Sequence, residues 1–219
     1  LIISVSPRSS KSLISSVYFP AWSLGRNPDW PIIEASHSTD LSIGFARDVR
    51  ALVSSPMFQA IFPGIKVRRD HGAMNDWGIT YNKRNAGHFF AAGVGTGIAG
   101  KGALLAVIDD PISEQDAFSK AKRQRVNEWY PGGLRTRLMP GGRIIVIQTR
   151  WHEDDLTGNL LNKAEADPLS DRWRVVRIPA FNTPESVDLL TNAVKELQDQ
   201  GYLEADYPEL VEGESFWPS

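Results

Sequence analysis

Short apolar, β-branched runs alternate along the chain with longer amphipathic stretches, the pattern of a mostly parallel sheet covered by helices. The runs predict strands over residues 1–5, 31–35, 78–82, 87–92, 104–108, 144–148 and 173–178. Residues 104–108 and 144–147 are apolar at every position, so they are expected at the centre of the sheet with both faces covered. Helical spacing predicts helices over residues 11–19, 40–54, 114–129 and 154–166, with a weaker pattern over 186–201. Two of them carry start signals. Ser113 with Asp116 three residues on makes a variant capping box, and Thr39 is placed to cap the stretch that follows it. "GITYN" and "GHFFAAG", separated by residues 83–86, predict a hairpin added to the parallel sheet.

The 219 residues, 42% hydrophobic and 23% charged, suffice for one large domain or one domain with a tail. A net charge of -2 and a pI near 6.1 lack the overall basic balance of a nucleic-acid coat protein, so any such contact must be local. The absence of cysteine excludes disulfides, thiol catalysis and Cys-ligated zinc. No apolar run reaches the roughly 18 residues of a membrane span, and no signal peptide opens the chain, so it reads as a soluble intracellular protein. The first residue already lies in an apolar run and the closing "GESFWPS" reads as linker, so the expectation is a fragment of a longer protein.

Two stretches compete for the role of a phosphate-binding loop. "VSPRSSKS" ends in Lys11 and Ser12 but has Val5 and Ser10 where the motif has glycine; "GTGIAGKG" has the glycines and Lys101. Such a loop works because a buried strand delivers backbone N–H groups to a helix N-terminus, where the dipole also favours an anion. Lys11 has an apolar strand before it, a helical pattern after it through Leu13, Ile14 and Val17, and a hydroxyl at Ser12 for Mg2+. Ser10 permits the loop if its backbone stays at negative φ, and Pro7 stiffens the approach. Lys101 is followed by Gly102 and a strand, so residues 93–102 read as a loop entering a central strand, one that could also present Lys101 to the phosphates of a neighbouring subunit. Taken alone, Lys11 fits a solvated strand-to-helix turn equally well.

The partner motif is "ALLAVIDDP", an apolar strand that ends in Asp109 and Asp110 at the carboxyl edge of the sheet, where ligands of doubly wound folds bind. In a nucleotide hydrolase the first acid holds the Mg2+ shell and the second orients the attacking water. The competing reading is a helix cap or a surface turn before Pro111. A third stretch, "RIIVIQTRWHEDDLTG", brings Gln148 and Thr149 to a strand end, followed by Arg150 and an acidic helix start at Asp154 and Asp155 that the helix dipole alone accounts for. His152 with the neighbouring acids is a weak metal set, because adjacent residues cannot all face one ion.

These three stretches together resemble the large subunit of tailed-phage terminases, the DNA-packaging motor. "SPRSSKS" resembles its deviant Walker A, "LLAVIDDPI" its Walker B, and "IIVIQTRWHEDDLTG" its motif III and coupling segment, over roughly residues 1–180. The resemblance implies an α/β fold of the P-loop NTPase (ASCE) type with a mostly parallel sheet flanked by helices, in an ATPase domain over residues 1–180. Residues 181–219 would then be a linker or subdomain leading to a C-terminal nuclease domain whose acids have no counterpart here. It also implies ATP and Mg2+ at the site. Pro7, Arg8, Ser9, Ser10, Lys11 and Ser12 would hold phosphates, Ser12 and Asp109 the metal, and Asp110 stands where many members have the catalytic Glu. Arg8 matches a loop arginine proposed to act as a cis finger, and Thr149 matches the polar residue of motif III.

The implied partners are double-stranded DNA, the portal protein and the small terminase subunit, with the chain in a homo-oligomeric ring on the procapsid in the cytoplasm of an infected bacterium and no membrane. A ring commonly completes its site from the next subunit, and Lys101, Arg84 and Arg143 are candidates, with Arg150 in a coupling role. "KAKRQR" over residues 120–125 is either a DNA or subunit contact or a solvated helix face. Other readings of the same residues are a helicase-like P-loop ATPase and a degenerate P-loop scaffold that does not hydrolyse ATP.

Overall fold

The computed structural model describes residues 1–179 and 184–199. Among them the strands are β1 Ile2–Val5, β2 Ile32–Ser36, β3 Ile65–Gly72, β4 Asp76–Tyr81, β5 Arg84–Gly93, β6 Ala103–Asp109, β7 Leu138–Gln148 and β8 Val175–Ile178. They form one sheet in the order β3-β4-β5-β2-β6-β7-β1-β8. Every pairing from β5 to β8 is parallel, and β3 and β4 are added antiparallel. The expected α/β class therefore holds. The addition is larger than a hairpin, because β5 is both its last strand and a parallel neighbour of β2.

Hydrophobic burial explains the layers. Helices α1 Phe19–Arg26 and α2 Thr39–Ser54 cover one face, where Val17, Ala21, Leu24, Ala46, Val49 and Val53 meet Ile32, Leu105, Val107 and Ile147. After α3 Pro56–Ile61 and the short α4 Glu114–Ala117, helices α5 Lys120–Trp129 and α6 Leu156–Ala166 cover the other face through Val126, Leu156 and Leu160, against Ile33, Ala106, Ile108 and Val146. Alternate residues of β6 serve alternate faces, so no position in it is polar before Asp109. A last helix, α7 Pro184–Asp199, overlaps the weaker pattern and starts two residues before it; the final two positions of that pattern fall outside the described residues, as do residues 180–183 and 200–219 of the expected linker and its border.

Several expectations are corrected. Strand β3 escapes the sequence pattern because "KVRRDHG" is so polar; it is a sheet edge, where charges discourage pairing with another chain, and only Ile65 and Val67 pack inward. Helix α3 escapes it for want of length. Helix α2 is capped by Ser38, whose hydroxyl accepts the Leu41 N–H at 3.2 Å, while Thr39 is already helical. Ser113 caps α4 as expected, accepting the Asp116 N–H at 3.2 Å. The expected helix over 114–129 breaks at Phe118 and Ser119, and the Arg123 guanidinium donates to the Ala117 carbonyl at 2.7 Å.

The first helix begins at Lys11 and runs on to Arg26 through a π-type segment, Leu13–Tyr18. Pro20 has no N–H for the Ser16 carbonyl and its ring crowds that group, so the preceding turn widens and the Phe19 N–H bonds to Ile14 instead. Widening turns Ser15 and Ser16 inward and leaves Leu13 and Ile14 exposed, so of the three apolar positions that set the expected face Val17 alone stays inside.

Candidate functional site

The carboxyl ends of β1, β7 and β6 lie side by side, with Ser4 beside Gln148 and Ile147 beside Asp109. From Val5 the chain turns through residues 6–10 into the helix at Lys11, where the Ser10 carbonyl accepts the Ile14 N–H at 3.1 Å. Arg8 and Ser10 stand at φ +62° and +56°. The loop thus takes the left-handed backbone that the negative-φ expectation for Ser10 excluded. Each such residue costs about 1–2 kcal/mol where glycine would cost none, and strain of this kind collects at functional sites. The Ser9 hydroxyl is buried in the loop with no hydrogen-bond partner among the described residues, while Pro7 and Arg8 are exposed.

Asp110 joins three elements. Its Oδ2 is 3.0 Å from the Lys11 Nζ, and its Oδ1 accepts the Thr149 N–H at 2.7 Å. Its own N–H donates to the Ile147 carbonyl at 2.8 Å, and its backbone is left-handed at φ +40°. The loop, the acid strand and the third strand therefore meet on one carboxylate.

Asp109 is buried beneath it. The Ser16 hydroxyl donates to Asp109 Oδ2 at 2.8 Å, whereas Oδ1 has no hydrogen-bond partner of good geometry among the described residues. Burial pushes the Asp109 carboxyl above its ordinary value; hydrogen bonding from Ser12 and Ser16 pulls the other way, Asp110 adds to the rise and Lys11 opposes it. An open carboxylate oxygen beside the Ser12 hydroxyl suits Mg2+, which takes one or two carboxylates and completes its shell with phosphates and water. No cluster of three or more His, Cys, Asp or Glu able to cage a metal occurs among the described residues. His152 serves locally, its Nδ1 accepting the Asp154 N–H at 3.0 Å.

Two residues that sequence reasoning passed over belong here. Ser16 is unremarkable in the sequence; Glu34 carries a signal, as the one acid in the apolar run of β2, and it is fully buried.

The stretch after β7 is a clamp. Arg150 Nε donates to Asp155 Oδ2 at 2.5 Å, and Asp155 Oδ1 caps α6 by accepting the Gly158 N–H at 2.9 Å. Burial raises the Asp155 carboxyl, opposed by the Gly158 N–H and by Arg150. Thr157 donates to Gln148 at 3.0 Å, and a Cβ on Gly158 would stand 1.7 Å from the Glu153 carbonyl oxygen. The helix thus begins at Leu156, tied to the strand end by these bonds.

The other cations are partly engaged. Lys101 pairs with Asp76 and lies 4.9 Å from the centre of the Phe90 ring, Arg84 pairs with Asp29 on the surface, and Arg143 stacks over Trp30 at 5.1 Å. In the basic helix, Arg123 is buried and Lys122 pairs with Asp116, which leaves Lys120 and Arg125 for any outside contact.

The family model described as "Terminase large subunit, T4likevirus-type, N-terminal" matches residues 2–219. Among solved structures, the large terminase of a thermophilic bacteriophage is 15% identical, over 98% of this chain and 47% of its own, with a TM-score of 0.48. The large terminase ATPase domain of Thermus phage P74-26 is 12% identical, over 94% of this chain and 83% of its own, with a TM-score of 0.49. The chain therefore spans about half the length of the first of these, 47%. No curated protein matches it.

Proposed function

Because the chain belongs to the T4-type family of terminase large subunits and matches its N-terminal region, we propose that it is the ATPase motor domain of such a subunit, hydrolysing ATP to drive double-stranded DNA into a procapsid. In this reading residues 1–180 are the motor, and residues 181–219 lead toward a nuclease domain. It works in the cytoplasm of an infected bacterium, as a homo-oligomeric ring with the portal protein and the small terminase subunit. Among the described residues no helix is long and apolar enough to cross a membrane.

The observation that carries the reading is the carboxylate of Asp110, bonded at once to Lys11 and to the Thr149 N–H. Residues 8–10 offer backbone N–H groups, and Ser9 its hydroxyl, to the phosphates, at the positive end of the helix that starts with Lys11. Entry of the γ-phosphate competes with Asp110 for Lys11. Released from that ion pair, Asp110 keeps Thr149 and has an oxygen with which to orient water and take its proton. Bound Mg2+, held by Asp109 and Ser12, would neutralise charge on the β- and γ-phosphates. Arg8, exposed on the loop, stabilises the same charge in cis, and Lys101 does so from the neighbouring subunit once its pair with Asp76 opens. Arg150 passes the movement of Thr149 to Asp155 and α6.

The same ion pair supports one other reading, a degenerate scaffold whose loop stays closed by Asp110. Steady-state phosphate release with MgATP, on the chain and with DNA and packaging partners, separates the two. Lys11→Ala and Asp109→Ala are each expected to lower turnover about a hundredfold or more, the scale of losing a group that stabilises developing charge. Wild-type silence even in the assembled motor, and in an Asp110→Glu variant, establishes the scaffold.

A further inference from the structure

Glu34 lies in the middle of β2, between Ile33 and Ala35, with no solvent exposure. In the parallel register Glu34 stands beside Val107 and Ser36 beside Asp109, so Glu34 and Asp109 share a face of the sheet, about 7 Å apart along the strand direction. Neither carboxyl oxygen of Glu34 has a hydrogen-bond partner of good geometry among the described residues. A buried acid without partners is costly, and an apolar side chain of similar size would serve the core as well or better. Packing therefore gives no reason for an acid here.

The reason lies in Ser16. Its single proton goes to Asp109 Oδ2, so toward Glu34 it has only lone pairs to offer. Burial above all, and then the negative charge of Asp109, push the Glu34 carboxyl well above its ordinary value, with Ser16 opposing. A neutral carboxyl is a donor, and Ser16, whose hydrogen bonding reaches the Glu34 carboxyl, is an acceptor for it.

We propose that Glu34 is a positioning residue for the metal-binding acid: its neutral carboxyl donates to Ser16 Oγ, which holds the Ser16 proton on Asp109 Oδ2 and keeps Oδ1 open for Mg2+. The proposal rests on the ATPase reading above. Asp109 has two oxygens that compete for every nearby donor, and a Ser16 hydroxyl free to turn would leave its carboxylate free to turn as well. Partners that orient a metal ligand from behind are worth about 10–100-fold in metal affinity.

The test is a Mg2+ titration of ATP binding to the chain by calorimetry, beside ATP binding in EDTA and thermal melting. Glu34→Leu is expected to melt no lower than wild type, to bind metal-free ATP normally, and to raise the Mg2+ midpoint about tenfold or more. Ser16→Ala should match it, and the double variant should be no worse than either single one. Glu34→Gln, whose amide can donate to Ser16, should stay near wild type. An unchanged midpoint in Glu34→Leu overturns the proposal, as does a Glu34→Gln as damaged as the leucine variant. If the leucine variant fails to fold, Ser16→Ala beside Glu34→Gln decides in the same way. Metal-free ATP binding that Lys11→Ala leaves untouched overturns the ATPase reading and this proposal together. Binding lost in Lys11→Ala with the midpoint unchanged in Glu34→Leu overturns this proposal alone.

Discussion

At the antiparallel end of the sheet, β3, β4 and β5 keep hairpin geometry apart from two register shifts, between Val67 and Gly72 and between Gly78 and Thr80, while at the carboxyl edge of β1, β7 and β6 the same chain departs from regular structure. Both regions use left-handed residues. Asn82 and Lys83, at φ +49° and +68°, make the two-residue turn between β4 and β5, where the twist of the strands asks for that geometry. Arg8, Ser10 and Asp110 are left-handed with no hairpin to reward them. Burial differs in the same sense. Trp77 and Phe89 are cross-strand partners, fully buried, with rings stacked 5.3 Å apart, whereas the interior near the edge holds Glu34 and Asp109. One end contributes stability; the other holds strained backbone and buried acid, and the phosphate site proposed for it is a reason to keep them.

That contrast can be broken at either end. The largest effect is expected from Trp77→Ala, a loss of about 3–5 kcal/mol in urea denaturation. ATP affinity of the folded variant should be unchanged, and a fall in it would mean that the two ends are coupled. The next effect concerns pH. Glu34 and Asp109 hold their protons to higher pH when folded than when unfolded, because burial raises both. Stability should therefore fall as pH rises from the ordinary carboxylate range toward those raised values. Below that range both states are protonated, and the two groups give no slope. Thermal melting from weakly acidic to neutral pH should show the decline, and Glu34→Leu should flatten it where Trp77→Ala does not. The smallest effect is that of Ser10→Gly. Relief of the left-handed backbone outweighs the added freedom of the unfolded chain, for a net gain of about 0.5–1 kcal/mol in the same urea assay.

The parallel core was legible in the sequence because strands buried on both faces leave unbroken apolar runs, as residues 104–108 and 144–147 do. Ser113 was legible as a cap for a similar reason, since the whole signal is local. Strand β3 was hidden by its role as an edge, and the break at Phe118 and Ser119 by a periodicity that continues across it. At the site, Lys11, Ser12, Asp109, Asp110 and Thr149 could be picked out from neighbours in the chain, and the structure brings them together. Ser16 could not, because its inward turn depends on Pro20 four residues later. Glu34 could be seen as odd but not placed, because its proximity to Asp109 exists only once β2 pairs with β6.

The clamp at Arg150, Asp155 and Gly158 has a mechanical consequence. Held at its first turn, α6 is a lever of 11 residues, about 16 Å long, with its fulcrum at the end of β7. A tilt of about ten degrees at the fulcrum would carry its far end, where the Ala164 carbonyl accepts from Arg172, about 3 Å; in the motor proposed above that is close to the roughly 3.4 Å rise of one base pair. In that proposed motor, a stiff joint of this kind would lose little of the stroke on the way.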